Sequence, residues 1–245
     1  MKDFIVIKIG GVAAQQLSMG FLSQIKDWQD AGKHLVIVHG GGFAINRLME
    51  ENKVSIKKVK GLRVTSQSDM KLVSQALLDI VGKDLSEKLT QSGLANLQLT
   101  SQLRQLIRAD FLDKDTYGYV GEVTSIQRAP VLEVLNEGKI PLLASLGYSK
   151  EGDMLNINAD YLATATAAAL AAEKLILLTD VKGVLENGQV LPELTVDQIP
   201  KKIIGGVITG GMIPKIESAA KTVELGVAQV LIGDGLTEGT LIHKG

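Results

Sequence analysis

The sequence predicts an α/β fold: a three-layer αβα sandwich with a mostly parallel central sheet and two lobes. Three observations carry this. Short runs of Ile, Val and Leu recur along the chain, mostly apolar at successive positions, as in strands covered on both faces. Between them lie segments with apolar residues three or four apart, the period of a helix. Glycine clusters stand where strand gives way to helix, at Gly10-Gly11, Gly40-Gly41-Gly42 and Gly210-Gly211. The carboxyl ends of strands in an open sheet line one crevice, so separate glycine loops can converge on one ligand.

Taken in order, Phe4 to Ile9 is the first strand. Leu17 to Gln29 is a helix with Phe21, Leu22, Ile25 and Trp28 on one face, and Trp28 reads as core packing. Leu35-Val36-Ile37-Val38 is a strand buried on both faces. It runs through His39 into the glycine triplet and a helix striped by Phe43, Ile45, Leu48 and Met49. Glycine there accepts positive φ and bares main-chain N–H groups, and the next helix's positive end favours an anion.

Lys53 to Thr65 alternates and carries Gly61, which predicts a β-hairpin. Its Lys57, Lys58 and Lys60 read as a solvated face, and Arg63 as a candidate for an anchored role. Ser68 to Leu89 predicts a long helix opened by Ser68-Asp69. Its stripe of Met70, Val73, Leu77, Ile80, Val81 and Leu85 suits core packing or a dimer seam equally. Strands follow near Leu97–Leu99, Leu106–Arg108 and Tyr119–Ile126. Pro130 sits in the first turn of a helix ending at Asn136, and Ile140 to Ser145 is a further strand.

Leu155 to Asp160 leads into an Ala-rich helix. Tyr161 to Ala172, the longest low-charge run, is too short to span a bilayer. Lys174 to Thr179 is a strand ending in Thr179-Asp180, and a small hairpin follows from Gly183 to Val190. Gly205-Gly206 and Gly210-Gly211 bracket a junction opening the helix from Met212 to Leu225, and Gln229 to Ile232 is a final strand. A lobe boundary near Ala171-Ala172-Glu173 divides 1–172 from 173–245.

Composition excludes several functions. The balance of 26 Lys+Arg against 27 Asp+Glu points to neither nucleic acid nor an acidic membrane. With no Cys there is no disulfide framework, thiolate nucleophile or cysteine metal site. The start has no secretory signal, so a soluble cytoplasmic protein is expected. No Gly-x-x-x-x-Gly-Lys-Ser/Thr occurs, and Gly40-Gly41-Gly42 lacks dinucleotide-fingerprint spacing. Lys8 is informative, because a Lys in a strand of Ile and Val is costly to bury without an anionic partner.

Six blocks in order carry a resemblance: Lys8-Ile9-Gly10-Gly11, Val38-His39-Gly40-Gly41-Gly42, Gly61-Leu62-Arg63-Val64-Thr65, Asn156-Ile157-Asn158-Ala159-Asp160, Leu178-Thr179-Asp180-Val181 and Gly210-Gly211-Met212-Ile213-Pro214-Lys215. Together they resemble the amino acid kinase family, in its arginine-pathway branch that phosphorylates N-acetyl-L-glutamate. The Gly-Leu-Arg-Val-Thr and Asn-x-Asn-Ala-Asp blocks separate that branch from carbamate kinase, aspartokinase, glutamate 5-kinase and uridylate kinase.

The resemblance implies transfer of a phosphoryl group from ATP to the side-chain carboxylate of N-acetyl-L-glutamate. It implies catalytic roles for Lys8, which faces the transferring group, and Lys215, on the leaving side, with Asp160 holding both ammonium groups. Gly41, Gly42, Arg63, Asn156 and Asn158 would bind the amino acid. Arg63 suits a clamp on its α-carboxylate, and the two Asn can also make a turn capping the Ala-rich helix. Gly10, Gly11, Thr179, Asp180, Gly210, Gly211 and Met212 would border the nucleotide, whose phosphates carry Mg2+ without a dedicated carboxylate cluster. Residues 1–172 would then bind the amino acid and dimerise, and 173–245 would bind ATP. His39 reads as a structural hydrogen-bonding group.

Two departures stand out. Thr100 to Gln105 lies where relatives carry a glycine-and-aspartate turn, and a first strand starting at Phe4 leaves no room for an N-terminal helix. An arginine-insensitive homodimer, with the Ser68–Leu89 helix near its two-fold axis, is the expectation.

Overall fold

A computed structural model describes residues 3–10 and 17–245. The chain opens with β1 (Phe4–Ile9), α1 (Met19–Asp30), β2 (His34–His39) and α2 (Gly42–Glu51). A hairpin of β3 (Lys58–Val59) and β4 (Leu62–Arg63) precedes a long helix, α3 (residues 70–91). Next come β5 (Asn96–Gln98), α4 (Leu103–Leu106), β6 (Ile107–Phe111), α5 (Lys114–Tyr117), β7 (Val120–Ile126) and α6 (Arg128–Asn136). β8 (Ile140–Ala144), β9 (Leu146–Tyr148) and β10 (Met154–Ile157) lead to α7 (Ala159–Leu170) and β11 (Lys174–Leu178). The chain closes through the hairpin β12 (Leu185–Glu186) and β13 (Gln189–Val190), then β14 (Glu193–Thr195), α8 (Ile199–Ile204), α9 (Met212–Glu224), β15 (Gln229–Gly233) and β16 (Thr240–His243).

Eight strands form the central sheet in the order β14-β16-β15-β11-β1-β2-β8-β5, all neighbours parallel except β15 and β16. Alternation along each strand feeds two cores. Phe4, Val6, Val36, Val38, Leu175 and Leu177 join one with residues of α2, α7 and α9. Ile5, Ile7, Leu35, Ile37 and Ile176 join the other with Ile25 of α1 and Leu85 and Leu89 of α3. Burying each such side chain contributes about 1.5–3 kcal/mol, so the middle strands are held firmly and their ends are fixed points. The expected αβα sandwich is what forms. Trp28 lies half-buried against the second core.

β1 pairs with β2 on one side and β11 on the other, which makes it the point where strand order reverses. At such a reversal a crevice opens beyond the carboxyl ends of the strands. Gly10, Gly40 and Thr179 stand at those ends.

Other features differ from the sequence reading. Of the strands between 107 and 157 only β8 joins the main sheet; β10, β7, β6 and β9 close into a small barrel of their own. Gly210-Gly211 follows helix α8 and a turn, so it joins helix to helix. β15 is not the last strand, because β16 folds back antiparallel along it and β14 adds beyond.

The Ser68–Leu89 helix begins at Met70, after a local loop in which Ser66 N donates to Asp69 Oδ2 (2.9 Å) and Asp69 N to Ser66 Oγ (3.2 Å). It widens into π turns over Gln75–Gly82. Gln98 Nε2 donates to Leu78 O (3.1 Å), an acceptor that an unbroken α-helix would pair with Gly82 N. In the apolar stripe, Met70, Val73, Leu77 and Leu85 are core residues of this chain, and Ile80 and Val81 pack half-buried beside them.

Candidate active site

Lys8 sits in the central strand, in register with Val38 and Leu177, not at an edge. Its neighbours Phe4 and Val6 on the same face pack under α7, and Lys8 meets the first turn of that helix. Nζ lies 2.8 Å from Asp160 Oδ1, with the two side chains 15% and 33% exposed. This is the anionic partner that a lysine among Ile and Val requires. Asn158 caps the helix by accepting from Asp160 N (2.8 Å) and Tyr161 N (3.2 Å), and the helix dipole favours a carboxylate at that end. The pair is therefore held by a strand on one side and a capped helix on the other.

The glycine triplet works differently from expectation. Gly10, Gly40, Gly41 and Gly42 are not among the residues with positive φ, and Gly41 has φ −158°. What Gly40 and Gly41 require is the missing side chain. A Cβ on Gly40 would lie 3.2 Å from Ala159 Cβ, and one on Gly41 would lie 2.7 Å from Leu77 Cδ2. Helix α2 starts here without a side-chain cap, so its first N–H groups stay available to an anion. Behind the loop His39 is fully buried, its Nδ1 3.3 Å from Gly40 O and its Nε2 without a partner. Burial lowers the imidazole to about 4, so it is neutral and donates through Nδ1.

Two hollows adjoin this centre. The smaller, about 250 Å³, is lined by Gly41, Gly42, Arg63, Asn156 and Asn158, which brings all five residues expected to bind the amino acid together. Arg63 is braced by Met49 Sδ (3.3 Å), Gly42 O (3.4 Å) and a short contact to Asn46 Oδ1. Burial lowers the guanidinium's pKa, with the charge of Asp69 opposing. Asn156 Nδ2 donates to Thr65 Oγ1 (3.2 Å), so of the two Asn only Asn158 caps the helix.

The larger hollow, about 470 Å³, contains Thr179, Gly211 and Lys215. Lys215 Nζ donates to Thr179 Oγ1 (2.7 Å), and that hydroxyl donates to Asp180 Oδ1 (3.0 Å). The hydrogen bond from Thr179 is the main cause that holds the Asp180 carboxyl below its usual range, with its own N–H, Lys215 and Lys8 adding to it. Gly210 takes φ +53° just before α9, a helix that also opens without a side-chain cap.

Lys8, Gly61, Leu62 and Asn158 line both hollows, so the two meet at the Lys8–Asp160 pair. Lys215 reaches the same space, but Asp160 pairs with Lys8 alone; Thr179 and Asp180 hold Lys215. Gly10 lines the smaller hollow and not the larger, whereas Gly210 and Met212 flank Gly211 without lining either. Gly11 lies outside the described residues. Sequence reasoning missed Tyr117, Tyr161 and Ser218 in the larger hollow. Tyr161 directly follows Asp160 and was open to detection; Tyr117 and Ser218 carried no motif. Lys58 and Lys60 are exposed, as expected of a solvated face, yet each lines a hollow.

Among the described residues no group of three or more His, Asp or Glu could hold a metal ion, and no helix is long and apolar enough to cross a membrane. The arrangement offers two ammonium groups, two uncapped helix starts and a braced guanidinium around one cleft, which suits phosphoryl transfer between two anionic ligands.

Comparison with known proteins agrees. The model of the amino acid kinase family matches residues 3–234. An acetylglutamate kinase of Streptococcus mutans is 70% identical over 242 residues, covering 99% of each chain. An acetylglutamate kinase of Streptococcus sanguinis is 58% identical over the full length of both. A crystal structure of a Streptococcus mutans protein superposes with TM-score 0.93 at 69% identity, covering all of both chains.

Proposed function

The chain belongs to the amino acid kinase family, and from that premise we propose that its cleft transfers the γ-phosphoryl group of ATP to N-acetyl-L-glutamate. The enzyme phosphorylates the side-chain carboxylate, giving N-acetyl-L-glutamyl 5-phosphate and ADP, a step of arginine biosynthesis. The observation that supports the site assignment is the shared border: two hollows, one with Arg63 and two Asn, the other with Lys215 and Thr179, meet at Lys8.

The chemistry follows from those positions. A side-chain carboxylate has an ordinary pKa of about 4.3 and is already ionised at neutral pH, so no general base is required. Its oxygen attacks the γ-phosphorus in line, and the bond from that phosphorus to the ADP oxygen breaks. Lys8 and the N–H groups of Gly41 and Gly42 neutralise the equatorial oxygens, and Asp160 orients Lys8. Lys215, fixed through Thr179, faces the charge that collects on the leaving side. Mg2+ would come with ATP, since no carboxylate cluster among the described residues would hold it, and would supply further neutralisation of phosphate charge. Arg63 clamps the α-carboxylate, while Asn156 and Asn158 read the acetamido group.

Residues 1–172 supply the amino-acid side and 173–245 most of the nucleotide side. All residues lining the smaller hollow precede 160, whereas Thr179, Gly211 and Lys215 come later. The protein works as a cytoplasmic homodimer insensitive to arginine, which sedimentation and an arginine titration would test. For the reaction, a hydroxamate assay traps acyl phosphate. Product with N-acetyl-L-glutamate, and none with glutamate or aspartate, is expected; the reverse would refute the substrate assignment.

A further inference from the structure

The β3–β4 hairpin turns through Lys60 and Gly61 with φ +47° and +82°, the backbone of a two-residue type I′ turn. Gly suits the second position. A lysine at the first is strained, because the left-handed region costs a residue with a Cβ roughly 1–2 kcal/mol; Asn is favoured there instead. Strain retained at one position raises the question of what the side chain does. Lys60 is exposed, pairs with no carboxylate among the described residues, and lines the larger hollow together with Lys8, Thr179, Gly211 and Lys215. Three residues along the same hairpin, Arg63 lines the smaller hollow.

We propose that Lys60 binds the polyphosphate of ATP from the hairpin side, so that one hairpin grips both substrates, the amino acid through Arg63 and the nucleotide through Lys60. The inference rests on the kinase reading above and adds a third cation to the nucleotide site.

The test uses the full chain with two substitutions. Lys60→Asn removes the charge and supplies the residue a type I′ turn prefers, so folding is preserved; Lys60→Arg keeps the charge. Calorimetry with MgATP and steady-state kinetics are the readouts. Lys60→Asn is expected to weaken MgATP binding and raise its KM about tenfold, the loss of one charge-assisted contact. KM for N-acetyl-L-glutamate should stay within about twofold, the melting temperature should hold or rise, and Lys60→Arg should recover most of the affinity. Unchanged MgATP affinity in Lys60→Asn, or the same loss in Lys60→Arg, would overturn the proposal. A protein that binds MgATP through Lys60 but makes no acyl phosphate would instead overturn the kinase reading and support this one.

Discussion

Protonation of His39 should cost this protein stability in mild acid, and the size of the effect follows from its surroundings. The imidazole is completely buried behind the glycine loop, with one nitrogen near Gly40 O and the other unpartnered. Burial holds it at about 4 in the fold against 6.5 for an ordinary histidine. The unfolded chain therefore binds the proton more readily, and stability falls as pH drops through 6.5 until the loss is complete below about 4. At 1.36 kcal/mol per pH unit the full loss is about 3 kcal/mol, of which about 2 kcal/mol is reached at about pH 5.

Urea unfolding at about pH 7.5 and about pH 5, for the unaltered protein and His39→Leu, isolates this contribution. Leucine cannot titrate, and the hydrogen bond it removes matters similarly at both values. All other titrating groups are common to the two proteins. The unaltered protein should lose about 2 kcal/mol more than the variant between the two conditions. Equal losses, to within about 0.5 kcal/mol, would show that His39 is not held neutral by burial and would refute the reasoning.

Three further outcomes are expected. Lys8→Ala should lower kcat about 10²–10³-fold, with the fold retained by circular dichroism; an unchanged kcat would remove Lys8 from the chemistry. Arg63→Lys replaces a braced fork by a point charge, so KM for N-acetyl-L-glutamate should rise about tenfold while KM for ATP stays put, the opposite pattern to Lys60→Asn. Asn158→Ala should cost about 1 kcal/mol in denaturant unfolding through the lost cap. Asn158→Asp should restore that stability but not turnover, since it sets a second carboxylate beside Asp160; full activity in the Asp variant would argue against Asn158 as a substrate-binding group.

Much of the architecture was legible because it is written in local periodicity. Runs such as Phe4–Ile9 and Leu35–Val38 could bury both faces only inside a covered sheet, and the breaks after them put Gly10, Gly40 and Thr179 at strand ends. The residues of the smaller hollow were legible as well, since Arg63, Asn156 and Asn158 sit in compact motifs. The barrel escaped because β6, β7, β9 and β10 are ordinary strand sequences whose partners are chosen by closure. The π turns in α3 escaped for a similar reason: the Gln98 amide that fits them lies 20 residues past the Leu78 carbonyl it meets.

The chain's own order of residues thus sufficed for the class of fold, for the ends of its middle strands and for Lys8, Arg63, Asp160 and Lys215 as charged groups of a cleft. Who meets whom was decided in three dimensions. Lys8 and Asp160 stand some 150 positions apart and become partners because the reversal of strand order at β1 places α7 over that strand. Asp160 serves one lysine and not two, and Lys60, though exposed, lines the larger hollow, because the packed positions of separate segments decide both. Periodicity governs what a segment becomes through contacts a few residues apart, whereas the pairing of charges depends on distances that exist only once distant segments have packed.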